Sequence, residues 1–195
     1  ALGVFPELCL PQNCHTESKV ERLWFPTPSG HSEQAAVSPV IAKGLRKALV
    51  GKLGNHNDKT NRRVFISRAS ARFRKLTNEK ELTDHIETLG FEIVQAENLS
   101  FAQQVELFSG CSIVLAQHGA GLTNILFAPD HCKVLEIHGP EVSRVHYWMM
   151  TRALGLDYDC FVGSKVSDSA DDSEPDLAVD MPAFEKWFEQ AIAEG

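Results

Sequence analysis

The sequence predicts a doubly wound α/β fold, in which helices cover both faces of a parallel sheet. Two observations carry this prediction. Short runs of Val, Ile, Leu and Phe recur about five times after residue 63, and helical patterns separate them. Because buried parallel strands need crossover helices, and because such crossovers are right-handed, this alternation winds the chain around a single sheet.

The first predicted strands and helix follow residue 63 in a regular order. Residues 64–66 form a short apolar run between arginines. A helix is expected over 78–89, where Asn78 is a suitable N-cap and Glu81 completes a capping-box pattern. Phe91–Val94 is the second predicted strand.

The alternation continues to the end of the chain. Ser100 is expected to cap a second helix, with Gln103 at its third position. The remaining predicted elements are a strand at 112–116, a helix opening at the Gly-rich turn 118–124, a strand at 133–137, a helix at 142–154, a strand at 158–162 and a closing helix at 183–193.

Residues 1–63 do not follow this rhythm, and we expect two parts in the chain. The first, 1–63, is interpreted as the remnant of a preceding domain plus a connecting helix that starts at Ser38 and Pro39. The second part, 64–195, is the α/β domain.

Charge and composition restrict the kind of partner. The net charge of −7 argues against nucleic acid, yet five arginines lie between Lys59 and Lys75 without an intervening acid, which favours a small, local anion. No apolar run approaches the ~18 residues of a membrane span, and no signal-peptide pattern is visible. Five cysteines, an odd number, favour a reduced cytoplasmic protein, with a Cys9–Cys14 bridge left open.

Ligands of open parallel sheets bind outside the carboxyl ends of the strands, and three features of this sequence fall there. Arg68 follows the first strand, with Arg72 four residues later, and Glu136 lies near the end of the 133–137 strand. The third feature is a Gly-rich turn, which consists of His118, Gly119, Ala120, Gly121, Leu122, Thr123 and Asn124.

The Gly-rich turn is the most informative of the three features. Gly119 and Gly121 let the backbone approach a ligand closely and allow positive φ. A helix that starts there directs free N–H groups and partial positive charge at one spot, which suits phosphate. Arg68 and Arg72 add bidentate donors, and Glu136 could accept hydrogen bonds from the hydroxyls of a ribose.

Structural interpretations compete with these assignments. A Gly-X-Gly turn can be only a tight connection, and Arg72 can lie on a solvated loop. Glu136 can pair with an arginine, and His118 can hold the turn by hydrogen bonds. The assignments support one another, because all these residues are expected at one edge of the sheet.

The motifs do not indicate a metal site, a dinucleotide or P-loop site, or a hydrolase nucleophile. The remaining candidates for a metal site, His131, Cys132, His138 and His146, have no recognised zinc spacing. The sequence contains no GxGxxG fingerprint, no GxxxxGK[ST] loop and no GxSxG elbow, which argues against the corresponding nucleotide-binding and hydrolase families.

Between Arg63 and Cys160, an ordered set of residues matches the recurring sequence pattern of a known family. Outside the Gly-rich turn, where the match is strongest, it comprises Ile66, Ser67, Arg68, Arg72, Asn78, Glu79, Glu81, Leu82, Gly90, Phe91, Glu97, Leu99, Ser100, Phe101, Gln104, Phe127, Pro129, Val134, Leu135, Glu136, Ile137, Gly155, Leu156 and Tyr158. This set resembles the family sixty-one glycosyltransferases, which include capsular-polysaccharide-type bacterial enzymes, plant xylan-decorating enzymes and animal O-linked N-acetylglucosaminyltransferases.

The resemblance implies the C-terminal, donor-binding half of a GT-B enzyme, with two Rossmann-like domains around the active site. The implied reaction is inverting: a hydroxyl of a glycan or polysaccharide acceptor displaces a nucleoside diphosphate from a nucleotide-sugar donor, usually a UDP-sugar. Arg68 and His118 are then the catalytic candidates. The donor-binding candidates are Arg68 and Arg72 for the diphosphate, His118, Gly119, Ala120, Gly121, Leu122 and Asn124 for phosphate or sugar, and Glu136 for the ribose.

The resemblance also sets the remaining expectations. The nucleotide-sugar is a substrate, so neither a cofactor nor a divalent metal is required. We favour a bacterial, cytoplasmic protein without a membrane span, with peripheral membrane association left open, and the Golgi or endoplasmic reticulum lumen if the chain is eukaryotic. The alternatives are a non-catalytic nucleotide- or phosphosugar-binding module and a structural domain whose basic patch docks a protein.

Overall fold

The computed structural model describes residues 38–53, 61–72, 74–140, 145–166 and 175–193. Its main sheet has five strands, arranged in the order β2-β1-β3-β4-β5, and every neighbouring pair is parallel. The strands are β1 (Arg62–Ile66), β2 (Phe91–Val94), β3 (Cys111–Gln117), β4 (Lys133–His138) and β5 (Asp157–Val162). The predicted α/β class and parallel sheet are therefore confirmed.

Helices cover both faces of this sheet. They are α1 (Pro39–Leu53), α2 (Glu79–Thr88), α3 (Phe101–Phe108), α4 (His146–Leu154) and α5 (Met181–Ala193), with a 3₁₀ helix (Ala120–Phe127) between β3 and β4. Alternate strand residues enter two separate cores. Val64, Val114 and Val134 pack with residues of α1, α3, α4 and the 3₁₀ helix, whereas Phe65, Leu115 and Leu135 pack with residues of α2 and α5.

The strand order places a change of winding direction between β1 and β3. From β1 the chain moves outward to β2, and then returns to the other side of β1 and proceeds through β3, β4 and β5. Ile66 is in register with Ala116, so the segments after β1 and β3 leave the sheet side by side. In doubly wound sheets the crevice for a ligand opens at this switch point.

Helix capping differs between α2 and α3. At α3, the Ser100 hydroxyl accepts from the Gln103 backbone N–H at 3.3 Å, and the Gln103 side chain accepts from the Ser100 N–H at 2.9 Å, which confirms the predicted capping box. At α2, Asn78 occupies the predicted N-cap position, but the predicted capping box does not form. Asn78 makes no capping hydrogen bond, because its amide instead bonds both backbone groups of Val179, just before α5.

Two further features were not predicted. Ser164–Lys165 and Leu177–Ala178 form a short antiparallel pair, β6 and β7. The helix that was expected to open at the Gly-rich turn is present, and its 3₁₀ form is the feature that was not predicted. None of the helices within the described ranges is long and apolar enough to cross a membrane.

Candidate functional site

The guanidinium of Arg68 lies directly against the Gly-rich turn. A β-carbon placed on Gly119 would overlap this guanidinium and would lie 3.1 Å from its Cζ atom. The loop that carries Arg68 is held at the start of α2, where the Glu79 carboxylate accepts from the Ser67 hydroxyl and, at 3.4 Å, from the Arg68 backbone N–H. The structure therefore brings Arg68 and Gly119 together at the end of β1 and β3.

The two glycines of the turn permit close packing. Gly119 has extended backbone with φ 176°, and neither glycine is among the positive-φ residues of the described chain, so the turn does not use the positive φ that glycine allows. A β-carbon on Gly121 would lie only 2.9 Å from Cγ2 of Ile66 in β1. The missing side chains let Arg68 and β1 approach the backbone of the turn.

Arg74 is a residue of this site that the sequence did not reveal. Its Nη1 donates to the His118 carbonyl oxygen at 3.4 Å, and its own carbonyl lies 3.5 Å from Nε of Arg68. Arg74 has φ 55°, a left-handed conformation that costs a non-glycine residue about 1–3 kcal/mol and that concentrates at functional sites. Arg72 is an exposed residue of the same loop. No sequence pattern distinguishes these two arginines, because the difference lies in the backbone conformation.

The remaining residues of the turn divide into structural and exposed ones. Leu122 is fully buried, and Asn124 is buried with its Nδ2 donating to the Gly121 carbonyl at 3.1 Å. Ala120 and Thr123 are exposed. Contacts with a ligand therefore fall to the backbone of the turn and to its exposed positions, while the side chains of Leu122 and Asn124 hold it in place.

Glu136 is the centre of a buried hydrogen-bond network. Its Oε1 accepts from Nδ1 of His118 at 2.6 Å, and its Oε2 accepts from the Tyr158 hydroxyl at 2.7 Å and lies 3.1 Å from Nε2 of His138. Burial raises the pKa of Glu136, but these hydrogen bonds more than offset it and lower the pKa to about 2. The carboxylate is therefore ionised at neutral pH.

The position of Glu136 argues against the expected ribose contact. The residue is fully buried, and both carboxylate oxygens already accept hydrogen bonds from protein side chains. One signal in the sequence could have indicated the network: His138 lies two residues after Glu136 in the same strand, and such residues share one face of a sheet. The contribution of Tyr158 depends on the pairing of β4 with β5, which the sequence alone does not define.

The start of α4 covers His118. The His118 ring centroid lies 5.2 Å from that of Tyr147, 6.3 Å from that of His146 and 4.9 Å from that of His138. Burial raises the pKa of the Tyr147 hydroxyl, and the nearby Thr123 side chain of the turn partly offsets this rise. Two helix starts, those of the 3₁₀ helix and of α4, thus meet beside His118, and each contributes partial positive charge.

His118, Glu136 and His138 also bring potential metal ligands together, with ligand atoms within 4.8 Å of one another. Each of these atoms already has a complementary partner inside the cluster, because both imidazoles contact the same carboxylate. We therefore interpret the cluster as a hydrogen-bond network.

Comparison with known proteins identifies relatives of this chain. The family model described as Glycosyltransferase 61 matches residues 2–135. The EGF domain-specific O-linked N-acetylglucosamine transferase of Pan troglodytes is 34% identical over 49% of this chain and 19% of its own length, and that of Xenopus laevis is 32% identical over 64% and 25%. The beta-1,2-xylosyltransferase of Arabidopsis thaliana is 28% identical over 43% and 18%.

These matches cover only part of each relative. The chain spans about a fifth of the length of the first of these relatives, 19%. The family match begins at residue 2, well before Arg63, where we expected the resemblance to start. These relatives are eukaryotic, so they give no support to the bacterial, capsular-polysaccharide-type, cytoplasmic protein that we favoured. Because the family match covers more than half of its residues, the chain belongs to glycosyltransferase family 61.

Proposed function

We propose that this chain is the donor-binding part of an inverting glycosyltransferase of GT-B architecture, and that it binds the diphosphate of a UDP-sugar at the ends of β1 and β3. The single observation that carries the proposal is the guanidinium of Arg68 against Gly119 at the switch point of the sheet. Membership of the family supports glycosyl transfer as the reaction.

The charges at this edge suit a departing diphosphate. As the bond between the sugar and the diphosphate breaks, negative charge accumulates on the leaving group, and fixed positive groups lower the barrier. Arg68 and Arg74 supply two guanidinium groups at the turn, and the first N–H groups of the 3₁₀ helix lack intrahelical partners. Arg72, which is exposed, would contribute from the rim. These cations take the place of a divalent metal ion, so none is required for diphosphate binding.

The relatives suggest which donors to test first. Their names refer to transfer of N-acetylglucosamine and of xylose, so UDP-N-acetylglucosamine and UDP-xylose are the first candidates, with a glycan hydroxyl as acceptor. Their eukaryotic origin favours the lumen of the Golgi or endoplasmic reticulum over the cytoplasm.

Calorimetric titration with UDP tests the proposed site. Arg68→Ala is expected to weaken UDP binding about tenfold to a hundredfold, because a charge-assisted hydrogen bond contributes roughly 1.5–3 kcal/mol and about 1.4 kcal/mol corresponds to a factor of ten. Arg62→Ala is the matched control. It removes the same charge from the opposite end of β1, where Arg62 pairs with Glu92 at 2.6 Å, and should leave UDP affinity unchanged.

Two results would contradict the proposal. The first is the absence of UDP binding by the folded protein at about millimolar ligand, where even a weak site is occupied. The second is an equal loss of affinity in the Arg68 and Arg62 variants, which would show that only the overall charge matters.

A further inference from the structure

We propose that His118 is the general base of the transfer reaction, and that Glu136 is a positioning residue that fixes the protonated nitrogen of its ring. This inference rests on the function proposed above. Glu136, His138 and Tyr158 lie beyond residues 2–135, the stretch that matches the family model, and the resemblance implied only a ribose contact for Glu136, against which its burial argues.

The hydrogen bonds of Glu136 select one form of the His118 ring. An ionised carboxylate only accepts hydrogen bonds, so Nδ1 of His118, 2.6 Å from Oε1, must carry the proton. In the neutral ring Nε2 is then the nitrogen with a free lone pair. Among the residues that the structure describes, Nε2 has no hydrogen-bond partner, and it is not among their buried unsatisfied atoms.

The rest of the network prevents Glu136 from turning away. Tyr158 donates to Oε2 at 2.7 Å, and Nε2 of His138 lies 3.1 Å from the same oxygen. Oε1 is therefore left to His118. Tyr158 of β5 and His138 of β4 thus hold the carboxylate that orients the His118 ring.

Arg68 and Glu136 approach the end of β3 from opposite neighbouring strands. Arg68 reaches this point from β1, whereas Glu136 reaches it from β4, the neighbour on the other side. His118 and Gly119 are consecutive, with Cα atoms about 3.8 Å apart. This arrangement suits an inverting displacement, in which the incoming oxygen and the leaving diphosphate occupy opposite sides of the anomeric carbon.

The proposed step is balanced as follows. The acceptor hydroxyl gives its proton to Nε2 of His118 while its oxygen forms the bond to the anomeric carbon. The bond from that carbon to the diphosphate oxygen breaks, and its electron pair leaves with UDP beside Arg68. The imidazolium that forms is stabilised by the Glu136 carboxylate and later releases the proton to water.

Nitrogen NMR of the whole chain tests the ring form without requiring turnover. Long-range proton–nitrogen correlations, recorded at a pH at which the ring is neutral, should show His118 with Nδ1 protonated and Nε2 bare. Glu136→Gln should abolish this preference, because the amide can also donate to Nδ1. Glu185→Gln is the matched control: it makes the same change at the His85–Glu185 contact of 3.5 Å and should leave the His118 signals unchanged. A wild-type His118 with Nε2 protonated would overturn the proposal, whatever the variants do.

Release of UDP from UDP-N-acetylglucosamine or UDP-xylose, with water or a sugar as acceptor, tests the role of the base. His118→Asn should lower kcat about 10²–10⁴-fold, the usual contribution of a general base, with little change in the dissociation constant for UDP. Glu136→Gln should lower kcat in the same direction by a smaller factor. Equal rates of UDP release in wild-type protein and His118→Asn would overturn the assignment. Loss of UDP binding in the wild-type protein would instead contradict the proposed function, so the two failures are distinguishable.

Discussion

Gly119 and Gly121 pack against different neighbours, Arg68 and Ile66. We therefore expect substitution of the first glycine to change UDP affinity and substitution of the second to change the free energy of unfolding. We expect Gly119→Ala to keep its extended backbone and to displace only the flexible end of Arg68. UDP affinity should therefore fall about tenfold, as after loss of one charge-assisted hydrogen bond, with little change in the free energy of unfolding. Titration with UDP and urea unfolding of the same sample measure the two quantities.

Gly121→Ala should behave in the opposite way. Its β-carbon would meet Cγ2 of Ile66 at 2.9 Å, and Ile66 is buried within β1. Overpacking of this kind costs about 1–3 kcal/mol, so the melting temperature should fall by several degrees. Equal effects of both alanine substitutions on UDP affinity and on stability would refute this division of roles.

Glu136 gives the protein a defined response to acid. The pKa of this carboxyl is about 2 in the folded chain, below its ordinary value of 4.5. Its contribution to the free energy of unfolding is therefore present above pH 4.5 and is lost as the pH falls towards 2. Urea unfolding of wild-type protein and Glu136→Gln should show a difference in unfolding free energy that narrows over this interval. A difference that stays constant between these pH values would mean that the network does not depend on the ionised carboxylate.

The sequence identified which residues form the site better than it identified the role of each residue. Arg68 and Gly119 could be placed at one edge because the ends of parallel strands meet there. The task of Glu136 could not be inferred, since it depends on a histidine and a tyrosine that the sheet register brings to its two oxygens. The choice between Arg72 and Arg74 depends on one left-handed backbone conformation, which has no signature in a non-glycine residue.

At the scale of elements, the hydrogen bonds at a helix start and the packing of the sheet make separable contributions to the free energy of unfolding. Ser100→Ala removes the hydroxyl that accepts the Gln103 N–H at the start of α3, and should lower the free energy of unfolding by about 1 kcal/mol. Glu87→Ala, at an exposed position inside α2, is the control and should change it by less than about 0.5 kcal/mol. UDP affinity should be unchanged in both variants. A loss of affinity after Ser100→Ala would show that α3 influences the site.

Most strands and helices were predictable because the signals for them are local. The apolar runs of β1, β3 and β4 are bounded by charged residues or turns, and each was found within two residues of its expected limits. The helix at the Gly-rich turn was predicted but its 3₁₀ form was not, because a 3₁₀ helix starts with the same glycine and free N–H groups as an α-helix. β6 and β7 contain two residues each, too few to form a pattern.

At the scale of the whole molecule, the distribution of charge favours a small anionic ligand. The chain carries a net charge of −7, which repels extended polyanions, yet Arg68 and Arg74 meet two helix starts at one edge of the sheet. A nucleoside diphosphate is short enough to contact these cations without lying along the acidic surface. The topology places this charge at the switch point, where β1 and β3 diverge.

This arrangement predicts that UDP stabilises the protein without a metal ion. At about 100 times its dissociation constant, a ligand adds about 2.7 kcal/mol to the free energy of unfolding, which corresponds to a rise of about 5–10 °C in the melting temperature of a domain of this size. Thermal denaturation should show this rise with UDP but not with uridine, which lacks the diphosphate. An excess of EDTA should leave the rise unchanged, because guanidinium groups and backbone N–H groups supply the positive charge. If chelation abolished the stabilisation by UDP, a divalent ion and not this set of cations would hold the diphosphate.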